Sequence, residues 1–169
     1  MVVKSSDMKR IINIFITSLS VLMLLASCEK APMAEEGIVA EWQLTEMTGY
    51  ENADLPSVYV EFRADKAFVI YQKVGEVMRY RKYTGEYSIS GTTLTGKYSD
   101  GEDLGSAYKV SFEADGGVLV LTALETDKSG NVLSEGEVCK YVKASLSQEE
   151  KDAADVVTKS EGETFLRFL

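Results

Sequence analysis

Few side chains in this sequence could perform catalytic chemistry. The chain has no histidine, so the commonest general base and metal ligand is missing, together with every Ser-His or Cys-His nucleophile pair. Cys139 has no apparent activating partner, and we expect it to be a small hydrophobic residue of the core. Two carboxylates can hydrolyse glycosides, but acidic residues are so plentiful here that two close together carry little information. The sequence therefore predicts no catalytic residues and no enzyme.

Two further motifs suggest ligand chemistry. Asp100-Gly101-Glu102-Asp103 offers oxygen ligands for calcium, but its spacing differs from that of a helix-loop-helix calcium site, and a solvated turn is the simpler interpretation. The run from Arg79 to Tyr83 alternates basic and aromatic residues, which a strand would divide between its two faces. The hypothesis that an anionic ligand binds near the mouth of the barrel remains open. We expect no metal, no cofactor and, at a net charge of −9, no nucleic acid partner.

Cys28 is the one residue whose surroundings specify a covalent chemistry. A basic start with Lys4, Lys9 and Arg10 precedes an apolar run over 11–26, and small residues lead into the cysteine. This is the order of a secretory signal peptide. A helix that spans a bilayer needs about 20 apolar residues. The run over 11–26 is shorter than this and contains four polar residues. These features favour a cleaved leader over an uncleaved transmembrane helix.

The residues Leu25-Ala26-Ser27-Cys28 resemble the bacterial lipobox. That resemblance implies diacylglycerol on the Cys28 thiol, cleavage before Cys28 and acylation of the new amino terminus. One acyl chain gives only marginal membrane binding, whereas several make the anchor effectively permanent. The next residue is Glu29 rather than aspartate, so the signal for retention in the inner membrane is absent. We expect a lipid-anchored protein of the cell envelope, at the outer membrane, on either its periplasmic or its surface face.

The leader sets the expected domain organisation: a signal peptide over 1–27, a lipidated tether over 28–37, a β-barrel over 38–143, and a helix and tail over 144–169. Removing the leader takes away three basic residues and one acidic residue and makes the net charge −11. Cys139 is then the only free thiol, no intramolecular disulfide can form, and stability must come from packing. A chain of this length normally forms one domain with its own core.

The apolar residues of 38–143 recur with a period of two. Ala40, Trp42 and Leu44 alternate with polar neighbours, as a half-buried strand requires. Eight or nine such strands are separated by turn signals, for example Ser90-Gly91. Consecutive antiparallel hairpins close most naturally as a barrel, because closure removes the exposed edges. The predicted fold is an all-β, antiparallel, up-and-down eight-stranded barrel with a short C-terminal helix.

The end of the chain has a different pattern. Ser147 and Glu150 form a capping box, which predicts a helix over 148–157. A thin apolar stripe ending at Val157 would pack against the barrel or across its mouth. We expect the apolar finish over 165–169 to dock on the protein as well.

The strand pattern resembles the lipocalin-like domains of many bacterial lipoproteins. The similarity covers about residues 38–143 and includes the opening strand, the 60–68 segment, Tyr83-Thr84-Gly85-Glu86-Tyr87, 94–101 and 119–122. Trp42 matches the tryptophan that plugs the barrel base in lipocalins, and Ala40 stands where the family has glycine. Lipocalins often cover this indole with an arginine from the last strand, where this chain has Lys140 and Lys143. The resemblance implies an eight-stranded calycin-type barrel and a hydrophobic ligand.

The inward positions of the predicted strands form the candidate ligand-binding site. They are Trp42, Val60, Phe62, Phe68, Ile70, Tyr87, Tyr108, Val110 and Phe112. Two interpretations are open. The interior holds a small hydrophobic or amphipathic ligand, in which case the protein is a membrane-anchored carrier. Alternatively the side chains fill the barrel, as eight strands allow, and the protein is a structural module or an interaction module for a protein or glycan at the cell envelope.

Overall fold

The strands follow one another around the fold in sequence order. The computed structural model describes residues 34–50, 55–73, 75, 79–125 and 134–160. A short helix, α1 (Ala34–Gly37), precedes eight strands: β1 (Ala40–Met47), β2 (Ser57–Phe62), β3 (Ala67–Lys73), β4 (Arg81–Ser90), β5 (Thr93–Tyr98), β6 (Tyr108–Glu113), β7 (Val118–Ala123) and β8 (Val138–Lys143). A 3-10 turn, Ala114–Gly116, joins β6 to β7. The chain then forms α2 (Gln148–Asp152) and a two-residue strand, β9 (Asp155–Val156).

The eight strands close into a barrel. Each strand pairs antiparallel with its neighbour in sequence, β1 also pairs with β8, and the ladder between β3 and β4 continues the sheet without a break. β9 lies outside this cycle and pairs parallel with the start of β4. Closure gives most strands a partner on both edges, which protects the backbone from pairing with other chains. The predicted antiparallel eight-stranded barrel is confirmed.

The core lies inside the barrel because alternate residues of each strand point inward. In β2, Val58, Val60 and Phe62 are buried while the residues between them are half-exposed. Trp42 stands opposite Val60 in the β1–β2 register, so both side chains lie on the inner face. Burying such side chains contributes roughly 1.5–3 kcal/mol each to folding.

β3 departs from the expected alternation, because both of its faces are buried. Phe68 and Ile70 point into the barrel as predicted. The intervening side chains form a second cluster on the outside of the barrel, the outer cluster, which consists of Val69, Tyr71, Tyr80 and Leu146, with Tyr59 and Ala154 packed beside it. A continuous apolar run is typical of a strand covered on both faces. Here the cover comes from the chain after β8.

The C-terminal helix is shorter than predicted. The capping box is present, since the Glu150 amide donates to Ser147 Oγ at 3.3 Å and Ser147 Oγ donates to the Glu150 carboxylate at 2.8 Å. However, α2 ends at Asp152, and the predicted helix over 148–157 is wrong beyond that residue. The chain becomes extended instead, since the backbone edge of β4 accepts its amides and the β-branched residues Val156 and Val157 favour a strand.

The predicted tether over 28–37 ends in a short helical turn. α1 covers the last four residues of that range, and the Ile38 amide donates to Ala34 O at 3.2 Å. The Glu35 carboxylate forms an ion pair with Lys66 in the turn between β2 and β3. The leader, the lipobox with Cys28, and the apolar finish over 165–169 lie outside the described residues. No helix among the described residues has the length and apolar character needed to cross a membrane.

Candidate functional site: the barrel interior

The candidate ligand-facing residues come together in one cluster. Eight of the nine are at most 4% exposed and belong to the barrel core: Trp42, Val60, Phe62, Phe68, Ile70, Tyr87, Tyr108 and Val110. Phe112 is partly buried and packs against the same core. They come from β1, β2, β3, β4 and β6, and closure of the barrel brings Phe112 of β6 beside Trp42 of β1.

Trp42 is held at one end of the barrel by three different interactions. Its indole N–H donates to Ile38 O at 2.7 Å, and α1 positions that carbonyl by accepting the Ile38 amide. Its ring centroid lies 6.2 Å from that of Phe112. Lys143 stands opposite Trp42 in the β1–β8 register, and its ammonium lies 5.4 Å from the indole centroid. Lys143 therefore takes the place that an arginine of the last strand often has in lipocalins.

The rest of the interior combines aliphatic side chains with several aromatic rings that contact one another. Phe62 and Tyr87 meet edge to face with centroids 5.1 Å apart, and Phe68 and Tyr98 meet in the same way at 5.4 Å. Tyr98 also contacts Tyr83 at 6.2 Å. Such edge-to-face pairs contribute roughly 0.5–1.5 kcal/mol beyond area burial. The interior is thus specified by ring geometry as well as by hydrophobicity.

Tyr83 and Tyr98 were not among the predicted interior residues. Residues 83, 85 and 87 share one face of β4, so the period-two pattern through Gly85 could have identified Tyr83. Its position beside the basic run 79–82 obscured that pattern. Tyr98 lies two residues beyond Gly96, and this glycine interrupts the apolar face of β5.

Gly85 shapes the interior by leaving space for its neighbours. A Cβ atom at this position would lie 2.4 Å from Phe68 Cζ and 2.2 Å from Lys97 O. Both distances are far below van der Waals contact. The glycine therefore lets the Phe68 ring lie directly against the β4 backbone, a close approach that other residues would prevent.

The buried polar groups of the interior are paired within the protein. Tyr87 Oη donates to Arg63 O at 2.7 Å, and burial raises the pKa of the Tyr87 phenol. Burial raises the pKa of Tyr141 well above its usual value and that of the Cys139 thiol to about 12. Among the described residues, every fully buried side-chain N or O atom has a hydrogen-bond partner. These tyrosines do not depend on a ligand for their hydrogen bonds.

The interior of the barrel is closely packed. Five side chains from four different strands have no exposed surface: Trp42, Val58, Val60, Phe68 and Tyr141. A space large enough for water beside any of them would expose part of its surface, so side chains fill the interior at these positions. A ligand could enter here only if rings move.

The acidic loop over 100–103 has partners within the protein. Asp100 accepts hydrogen bonds from the Glu102 amide at 3.3 Å and from the Ser160 amide at 3.0 Å. The Asp103 carboxylate pairs with Lys97 at 3.0 Å, and its carbonyl accepts from Lys159. In the part of the chain that is described, no three Cys, Asp or Glu side chains are grouped so that they could hold a metal ion.

The basic and aromatic run that begins at Arg79 is divided between the two faces of the barrel wall, since Tyr80 belongs to the outer cluster whereas Tyr83 lies in the barrel core. Tyr80 is buried in the outer cluster, with Lys73 Nζ 4.9 Å from its ring centroid. Lys82 Nζ lies 5.9 Å from the Tyr71 centroid. These lysines cover aromatic faces of the outer cluster.

A closed antiparallel barrel with a tryptophan at one end and aromatic rings in its interior defines a small up-and-down β-barrel protein. The family model of the lipocalin-like domain matches residues 38–121. That segment of the chain, from just before β1 into β7, is a lipocalin-like domain, and the predicted resemblance is confirmed over this range. β8 lies beyond the matched residues and completes the barrel. No curated protein matches the chain.

Proposed function

We propose that this protein is a lipid-anchored lipocalin-like carrier that binds a small hydrophobic or amphipathic ligand inside its barrel. The observation that supports it best is the convergence of aromatic side chains from non-adjacent strands on the inner face of a lipocalin-like domain. The family is typically a binding fold rather than a catalytic one, which is consistent with a chain that lacks histidine.

The lining of the interior determines the chemistry of the ligand. The buried residues of the barrel core are aliphatic and aromatic residues together with Met47 and the Cys139 thiol, and the buried charge that the described residues show beside it is Lys159, over the Tyr98 ring. Such a lining favours an apolar or aromatic body, because a charge there would lose its hydration without compensation. A polar end of the ligand would have to remain at a rim of the barrel, where Lys143 or Lys159 lies beside an aromatic ring.

A second candidate function rests on the close packing of the core. Several inner side chains have no exposed surface, and the buried polar atoms that are described already have partners. A filled barrel of this kind would be a structural or interaction module, with its surface or loops contacting a protein or glycan at the cell envelope.

A pair of neighbouring residues on β6 can separate the two functions. Val110 is buried on the inner face and Ser111 is exposed on the outer face. The purified protein is examined by native mass spectrometry and solvent extraction. Val110→Phe should then remove a co-purifying small molecule, because it reduces interior space, whereas the matched Ser111→Phe should retain it. Circular dichroism verifies folding. If no small molecule is found in the wild type and no apolar probe binds, the carrier is excluded in favour of the filled barrel.

The anchor is proposed from the lipobox and has its own test. Cys28→Ser should abolish incorporation of radiolabelled palmitate and leave the leader uncleaved, because the thiol is the acceptor of the lipid. Cys139→Ser is the matched control at the only other cysteine of the chain and should leave labelling unchanged. A Cys28→Ser protein that is still labelled and processed would exclude this anchor.

A further inference from the structure

β5 pairs with only part of the edge of β4. The ladder between these strands begins at Ser90–Thr93 and ends at Gly85–Tyr98, with one further hydrogen bond from the Ser99 amide to Thr84 O at 2.8 Å. β4 itself begins at Arg81. The first residues of β4 therefore extend beyond β5, and their outer backbone edge needs another partner.

The C-terminal chain supplies that partner. The Asp155 amide donates to Tyr80 O at 2.9 Å, and the Val157 amide donates to Lys82 O at 3.1 Å. β9 thereby continues the line of β5 along the edge of β4, although it runs parallel to β4. We refer to residues 155–160 as the closing segment.

The closing segment is also attached to the loop that follows β5. Lys159 is 7% exposed, and its ammonium donates to Asp103 O. The Ser160 amide and hydroxyl donate to Asp100 Oδ2 at 3.0 and 3.3 Å. The segment thus connects the part of the β4 edge that β5 does not cover with the loop that follows β5.

Interior aromatic rings lie directly beneath this connection. Lys159 Nζ is 4.9 Å from the centroid of Tyr98, which contacts both Phe68 and Tyr83 inside the barrel. Val157 packs against the barrel core as well. Lifting the closing segment would expose Tyr98 and open a direct route from the surface to the aromatic interior.

The closing segment is held mainly by polar interactions that can break locally. β9 has only two residues, both exposed, and the Val156 side chain is 75% exposed. Each hydrogen bond contributes only modestly to stability in water, so the segment can detach at a fraction of the cost of unfolding the barrel. The side chain that covers Tyr98 is Lys159, and its ammonium becomes hydrated again when the segment detaches.

We propose that the closing segment is a gate that regulates ligand entry into the barrel interior between β4 and the loop after β5. This inference rests on the proposed ligand-binding function, and it explains how a ligand could reach an interior that is closed in this structure. Detachment of residues 155–160 opens the wall, the ligand passes Tyr98, and re-docking of Lys159 and Ser160 closes it.

Stopped-flow fluorescence of the full-length protein with the neutral apolar probe N-phenylnaphthylamine tests the gate. Lys159→Met loses the hydrogen bond to Asp103 O and the cation–π contact, and it should increase both association and dissociation rates by roughly fivefold or more. The matched control is Lys97→Met, because Lys97 pairs with the Asp103 carboxylate but is exposed and lies outside the segment. It should leave both rates within about twofold of the wild type.

A disulfide provides a second variant that does not rely on weakening the protein. Ser160 Oγ lies 3.3 Å from Asp100 Oδ2, so Asp100→Cys with Ser160→Cys should cross-link the gate in its closed position. The oxidised protein should take up the probe at least about fivefold more slowly than the same protein after reduction. Equal rates in the two redox states would overturn the proposal.

The outcomes separate the gate from the carrier function. If the probe binds but neither the lysine variant nor the cross-link changes its rates, the gate is wrong and the carrier stands. If the probe binds to no variant, both are wrong. Hydrogen exchange provides a further criterion, since the amides of Asp155 and Val157 should exchange faster than those of β4. Exchange only through global unfolding would also exclude the gate.

Discussion

The ammonium of Lys143 lies 5.4 Å from the centre of the Trp42 indole, directly across the β1–β8 ladder. The contact connects the first and last strands of the barrel at the end where Trp42 also bonds to Ile38 O. A lysine thus replaces the arginine that often covers this tryptophan in lipocalins. The ammonium offers a point charge, whereas a guanidinium would also stack on the ring.

Removing this cation should weaken the barrel slightly. Lys143→Ala should lower the free energy of unfolding by about 0.5–1 kcal/mol, the range of an exposed cation–π contact. Lys143→Arg should retain or increase stability, because the guanidinium stacks on the indole. Urea denaturation followed by Trp42 fluorescence measures both changes. Equal stability of the alanine and arginine variants would show that the contact contributes nothing.

Gly85 should be the least tolerant glycine of β4 and β5. Gly85→Ala places a methyl group 2.2 Å from Lys97 O and 2.4 Å from Phe68 Cζ, so the backbone and the ring must both shift. We expect a loss of stability of roughly 2 kcal/mol or more. Gly117→Ala is the comparison, because the nearest atom to its Cβ would be Ala114 O, at 3.1 Å. Thermal unfolding measures the loss of stability in each variant. Equal losses for Gly85→Ala and Gly117→Ala would show that β4 can move away from β5 and accommodate the methyl group.

Glu41 should be important for docking of the C-terminal region. Its carboxylate accepts from the Leu146 amide and from Lys151 Nζ, each at 2.8 Å, and it is 11% exposed. Glu41→Ala removes both interactions and should cost about 1–3 kcal/mol. Glu41→Gln retains an acceptor for Leu146 and should cost less. Urea denaturation provides the values.

Glu46 offers a matched control on the same strand. Its carboxylate is 64% exposed and lies 3.6 Å from Lys140. Glu46→Ala should change stability by no more than about 1 kcal/mol, as is usual for exposed ion pairs. A cost equal to that of Glu41→Ala would show that burial of the carboxylate is not what matters.

Cys139 should be unreactive while the protein is folded. Burial raises the pKa of its thiol from 9.0 to about 12, so little thiolate exists at pH 8. In a Cys28→Ser background, alkylation of Cys139 should occur only after unfolding in urea. Because the unfolded chain loses this proton first, the thiol's contribution to stability falls as the pH rises from about 9 to 12. Cys139→Ala should remove that part of the pH dependence, and rapid labelling of folded protein at pH 8 would refute the prediction.

The attachment of the closing segment to Asp100 should depend on pH in the acidic range where the Asp100 carboxylate becomes protonated. Burial by itself raises the pKa of Asp100, but hydrogen bonds from Ser160 and Glu102 outweigh it and hold the pKa below its usual value. The carboxylate therefore favours docking above the ordinary pKa, and this contribution is lost as the pH falls through the lowered pKa. Exchange of the Ser160 amide, corrected for its intrinsic rate, should accelerate there. Asp100→Asn should show no such transition.

Much of this barrel is determined by local sequence. Alternation of apolar and polar residues is a property of each strand, so residues such as Trp42, Val60 and Phe68 could be assigned to the inner face before their partners were known. The capping box at Ser147 and the turn at Gly91 are local as well. The lipobox at Cys28 is equally local, and it remains a prediction because it lies outside the described residues.

The tertiary structure determines which residues pack against the outer face of each strand. Val69 and Tyr71 form the outer cluster only because the distant residue Leu146 packs on them, and α2 ends early because a β4 edge is available to Asp155 and Val157. The same holds for the filled interior, since how closely rings from β3, β4 and β5 pack depends on the closure of the barrel. Sequence periodicity specifies which way a side chain points, whereas long-range packing determines what it contacts there.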